Sequence, residues 1–64
     1  MEWQNFKKLS TNEKRYKVEQ MTDLDLNCDT RERELLIADI VRAKNEDEYI
    51  KAIAMLEIFE ASYR

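Results

Sequence analysis

The chain has 64 residues, a net charge of −3, and no glycine, proline or histidine. One domain at most fits this length, and a chain so short buries only about 60% of the surface its unfolded form exposes. Without histidine a serine or cysteine nucleophile lacks its commonest base. Without glycine there is no phosphate-cradling loop, and a single cysteine rules out both an intrachain disulfide and a cysteine cluster for zinc.

Strand-rich folds need glycine, proline or Asn-Gly at their reversals. A chain with neither glycine nor proline and with 39% charged residues reads instead as all-α. The expected architecture is a small three-helix domain: a C-terminal helical hairpin preceded by a short N-terminal helical arm.

Residues 1–9 form that arm or a short helix, with Trp3, Phe6 and Leu9 at intervals of three along one apolar edge. Ser10, followed three residues later by Glu13, is a capping box. It opens a helix over 11–21 whose apolar positions are few: Tyr16, Val18 and Met21. Such a weakly amphipathic helix owes its stability to docking. Residues 22–27 are the least regular stretch, with Leu24 and Leu26 as apolar anchors.

Asp29, with Glu32 three residues on, starts a helix over 30–44 that is apolar at Leu35, Leu36, Ile37, Ala38, Ile40, Val41 and Ala43. Arg42 and Lys44 fall in its expected last turn, where cations suit the dipole. Asn45 is expected both to end this helix in the left-handed conformation and to cap the next, paired with Glu48. Glu46, Asp47 and Glu48 fill the first turn of the last helix, over 46–63.

The last helix is apolar on two sides. At about 100° per residue, Glu57, Glu60 and Arg64 share one narrow polar stripe. Ile50, Ala54, Ile58 and Ala61 lie on one side of it, and Ala52, Met55, Leu56, Phe59 and Tyr63 on nearly the opposite side. Tyr49, Ala52, Leu56, Phe59 and Tyr63 follow spacings of 3, 4, 3 and 4, a heptad seam two repeats long. Two readings stay open. Either the seam packs inside the chain, or it meets another molecule while the Ile50 stripe packs on the helix over 30–44. The candidate contact residues are therefore Trp3, Phe6, Tyr49, Ala52, Met55, Leu56, Phe59 and Tyr63. Trp3 is expected to dock on the body, with a role at a partner surface as the alternative.

Charge is polarised along the chain. Residues 7–17 carry Lys7, Lys8, Lys14, Arg15 and Lys17 against Glu13 alone, whereas residues 23–64 hold eleven acids and six bases. The basic segment suggests a nucleic-acid-binding regulator as an alternative function, weighed down by the acidic remainder and by the lack of any recognised nucleic-acid motif. The acidic stretch Asp23, Asp25, Asn27, Asp29 and Glu34 has the oxygen spacing of a calcium loop. Cys28 occupies the position where the sharp turn wants glycine, so the stretch reads as a solvated loop and helix cap. No cofactor and no metal are expected, and the chain is not expected to be an enzyme.

The lone thiol suits a reducing compartment. With Trp3, Gln4 and Asn5 interrupting any apolar run and no apolar stretch near the roughly 18–20 residues that span a bilayer, a cytoplasmic protein with no membrane partner is expected. The function expected is a small regulatory protein-binding module of inhibitor, antitoxin or phage-accessory type. It would act through an apolar helical face as a homodimer and on another protein, and that assignment of type is an analogy from size and composition.

Overall fold

The computed structural model describes residues 2–64; Met1, the first position of the expected arm, lies outside them. Four helices follow one another: α1 (Trp3–Phe6), α2 (Thr11–Met21), α3 (Thr30–Val41) and α4 (Glu46–Ala61). No strand occurs among the described residues. The fold is all-α, with α3 packed against both α2 and α4.

Each long helix starts where a side chain satisfies its free amides. At α2 the Ser10 hydroxyl accepts from the Glu13 amide at 3.3 Å, and the Glu13 carboxylate accepts from the Ser10 amide at 3.4 Å, closing the expected box. At α3 one Asp29 oxygen accepts from the Arg31 and Glu32 amides, at 3.0 and 3.3 Å. At α4 Asn45 accepts from the Glu48 amide at 2.9 Å. Glu48 reaches back one residue further than expected, to the Lys44 amide at 2.7 Å.

Two helix ends differ from expectation. α3 stops at Val41, with Arg42 as its C-cap and Lys44 in the link, so neither cation lies in the last turn. The amide of Ala43 turns to the Ile40 carbonyl, which tightens the exit. Asn45 is extended, at φ −151° and ψ 172°, and not left-handed. No described residue has positive φ, which is why the chain manages without glycine. α4 ends at Ala61, and residues 62–64 continue as a looser turn held by bonds such as Ser62 Oγ to the Phe59 carbonyl.

Phe6, Val18, Ile37 and Ile40 are fully enclosed, and Ala43, Tyr49 and Leu56 complete the core. One residue from α1, one from α2, two from α3 and two from α4 therefore meet, with Ala43 from the α3–α4 link, so the four-residue α1 is part of the core and not a loose arm. Its anchors stack on the start of α4. Phe6 lies 4.7 Å and Trp3 5.5 Å from the Tyr49 ring centre, in tilted pairs.

Candidate protein-contact surface

The structure decides which side of α4 faces inward, and it is the heptad seam. Tyr49 and Leu56 are buried, Ala52 and Phe59 half-buried. The arrangement in which the seam faces out and the Ile50 stripe packs on α3 is reversed: Ile50 is 56% and Ile58 66% exposed, and Ala54 and Ala61 are exposed with them. The reason is the partners that converge on it: α1 brings the rings of Trp3 and Phe6 onto the seam.

The candidate residues thus separate into three groups. Phe6, Tyr49 and Leu56 are buried in the core. Trp3, Ala52 and Phe59 are half-buried at the edge of the core. Met55 and Tyr63 are exposed, and the Tyr63 ring lies 5.1 Å from that of Phe59. On α4 the apolar face left open by folding is one the candidate set omits: Ile50, Ala54, Ile58 and Ala61, bordered by Asp47, Lys51 and Glu57; Tyr16, Met21, Leu24 and Leu35 are exposed on other elements. Its signal in the sequence was the two-sided apolarity of α4; the choice of side was not.

Glu60 departs from the expected polar stripe. It is only 5% exposed, while its neighbour Glu57 is in solvent. Its carboxylate accepts from the Thr22 hydroxyl and from the Asp23 amide, both at 2.7 Å, and so fastens the end of α2 to the end of α4. Arg33, also buried, donates to the Asp23 carbonyl at 3.1 Å and approaches the Cys28 sulfur at 3.3 Å. These two charged side chains hold the irregular segment 22–29 from either side. Leu24, expected as an apolar anchor there, is 55% exposed. The anchors are polar, and Leu26 is half-buried.

Three of the five side chains of the acidic stretch have structural employment. Asp23 accepts from the Asp25 amide at 3.1 Å, Asp29 caps α3, and Glu34 sits on α3 paired with Arg15 of α2. Among the described residues no group of three or more acidic or sulfur side chains is disposed to hold a cation. The basic segment is partly engaged as well. Arg15 also pairs with Glu19 at 3.0 Å, and the Glu34 carboxylate, by hydrogen bond and by charge, holds the guanidinium above its ordinary range. The Lys14 ammonium lies 5.6 Å from the centre of the Phe6 ring.

At the junction of α1 and α4 a shallow cleft of about 380 Å³ opens between Glu2, Trp3, Gln4, Glu46, Tyr49 and Ile50. Burial pushes the Tyr49 hydroxyl above its ordinary value. Ile50 lines this cleft and also begins the exposed α4 stripe, so the two are one continuous surface. No described helix is long and apolar enough to cross a membrane. Comparison with protein-family models, with curated proteins and with solved structures finds no match.

Proposed function

We propose that this chain is a small protein-binding module that works by contact, with the outward face of α4 as its contact surface. One observation carries the reading: after the core has closed, Ile50 and Ile58 remain more than half exposed in line on the same helix, joined by Ala54 and Ala61. A soluble domain gains nothing by holding branched aliphatic side chains in a row against water, and such patches mark interaction sites. Acidic groups at one end of the face, Glu46 and Asp47, would steer the encounter and reject wrong partners. A regulatory role of inhibitor, antitoxin or phage-accessory kind, in a reducing, cytoplasmic setting, is the part of this reading supported by size, composition and the lone thiol.

Catalysis is not part of the proposal, since the open surface is apolar and no nucleophile–base pair stands in it. The basic segment 7–17 supports the nucleic-acid alternative less well than α4 supports contact, because Arg15 is already paired with two carboxylates.

A photo-cross-linking side chain placed at position 58, and in a second variant at position 16 on the exposed side of α2, tests the reading in the cell that makes the protein. Cross-links to protein from position 58 and not from position 16 are the expected result. Equal capture from both positions, or none from 58, would remove α4 as the contact face.

A further inference from the structure

The outward face of α4 has two features that a general apolar contact would not need. Its side chains alternate in size along the helix: Ile50, Ala54, Ile58, Ala61. Its charge is also polarised end to end, with Glu46, Asp47 and Glu48 in the first turn and Arg64 just beyond the last. Building on the reading of this face as the contact surface, we propose that its occupant is a second copy of the chain, with the two α4 helices antiparallel about a two-fold axis near residues 55 and 56.

Reversal of direction is what makes the face complementary to itself. It sets Ile50 opposite Ala61 of the second copy and Ala54 opposite its Ile58. Each branched side chain then meets the space an alanine leaves, and the helices can approach closely. A parallel pair would set isoleucine against isoleucine and alanine against alanine, crowding at one level and leaving a gap at the next. A two-fold axis makes the contact isologous, so the same patch serves both copies and closes the assembly at two.

Charge selects the same direction. In the parallel arrangement the three acids of one first turn would face the same three acids of the other, with a cost in like-charge repulsion. In the antiparallel arrangement Arg64 of the second copy comes to the cleft at the α1–α4 junction. There Glu2 and Glu46 offer carboxylates and Trp3 an indole to its guanidinium. Arg64 lies past the end of α4, in a turn that closes with its amide on the Ala61 carbonyl, so it follows Ala61 at the end of the outward face, the end an antiparallel pair brings to the first turn of the second copy. One contact opposes the pairing: Glu57, at the edge of the stripe, comes near its own copy close to the axis. It is exposed and stays in water, where such repulsion is small.

The face is short. Sixteen residues of helix span about 24 Å, so a pair held by α4 alone falls below the roughly 1,200 Å² of a standard stable interface. The expected association is weak, with a dissociation constant on the order of 0.1 mM.

Direction is tested in the full chain carrying Cys28→Ser, with Ile50→Cys in one preparation and Ala61→Cys in another. Both positions are exposed, and circular dichroism checks that each variant keeps the wild-type helicity. Under mild oxidation at about 1 mM, ten times the expected dissociation constant, the mixture of the two should form a disulfide-linked pair while each alone forms little. Cross-linking of each variant with itself would show a parallel pair and overturn the proposal, as would no cross-linking in any tube. Sedimentation equilibrium on the unmodified chain supplies the second measurement. Arg64→Glu should weaken the pair by about four- to twenty-fivefold, because the two-fold axis makes the contact twice and each exposed ion pair reaches about two- to fivefold, and mixing with Glu46→Arg should restore it. A chain that stays monomeric up to about 2 mM, twenty times the expected constant, overturns the proposal. If position 58 still captures another protein in that case, the contact reading stands and only the pairing falls; if it captures nothing, both fall.

Discussion

The two apolar sides of α4 have had opposite fates. Tyr49, Ala52, Leu56 and Phe59 were drawn in, whereas Ile50, Ala54, Ile58 and Ala61, on the same helix, were left in water. Hydrophobicity does not explain the difference, since isoleucine is at least as apolar as tyrosine. The inward side won because other elements bring partners to it: the rings of Trp3 and Phe6 at the start of the helix, and Thr22 and Asp23 at its end. A stripe is core when neighbours converge on it, and the stripe on which none converge becomes surface. In a chain this small, such a stripe is apolar area that the fold itself does not use.

Shortening one side chain on each side of α4 should have very unequal costs. Leu56→Ala should cost about 2–5 kcal/mol, the range for a buried leucine whose cavity does not fully collapse. For a domain of this size that is a large part of the total stability. Ile58→Ala should change the stability of the monomer by about 0.5 kcal/mol or less, as for an exposed position with no special backbone role. Urea unfolding at a concentration low enough to keep the chain monomeric reads both. A large loss at Ile58 would mean that the outward stripe is covered in the isolated chain, and the contact surface would have to be sought elsewhere.

How much of this was legible follows from the range of the interactions involved. The helix starts were readable because a cap is local: Ser10 and Glu13, Asp29, and Asn45 each act within three residues. The two-sided apolarity of α4 is likewise a matter of spacing along one helix. The choice of side depends on contacts that the sequence separates widely, such as Phe6 on Tyr49 or Glu60 on Thr22, 38 residues away. No helical period encodes those. The same cause hid Glu60. On a wheel it belongs with Glu57 as one polar edge, and only the arrival of two donors from the end of α2 makes it an interior residue.

Glu60 and Glu57 give the second test, of intermediate size. Glu60→Ala leaves the buried Thr22 hydroxyl and the part-buried Asp23 amide without their acceptor. Hydrogen bonds to a charged group are worth about 1.5–3 kcal/mol, and a buried donor left alone costs a comparable amount, so a loss of about 2–4 kcal/mol is expected. Glu57→Ala, one turn earlier on the outward edge, should stay within about 0.5 kcal/mol. Thermal unfolding followed by circular dichroism compares them. Native-state hydrogen exchange locates the damage, which should fall on residues 22–29 before it reaches α3. Equal effects from the two substitutions would show that the bond from Glu60 to the α2 terminus does not hold that segment in solution.

The smallest effect expected comes from the first residue of the inward side. Tyr49 is 3% exposed, and burial raises its hydroxyl above the ordinary value of 10.0. In the unfolded chain the phenol ionises as the pH passes that ordinary value; in the folded chain it keeps its proton to a higher pH. The folded state therefore binds more protons in this window, and stability falls as pH rises. The contribution is complete below the ordinary value and disappears as pH climbs through the folded one, with a slope of at most about 1.4 kcal/mol per pH unit. Urea midpoints taken between about pH 8 and pH 11, a window bracketing the ordinary phenol range, should decline more steeply for the wild type than for Tyr49→Phe. Parallel declines would mean that the Tyr49 hydroxyl meets water in the folded chain. In that event the docking of α1 over the start of α4, which settles which side of the helix faces inward, would be looser than the 4.7 Å approach of Phe6 implies.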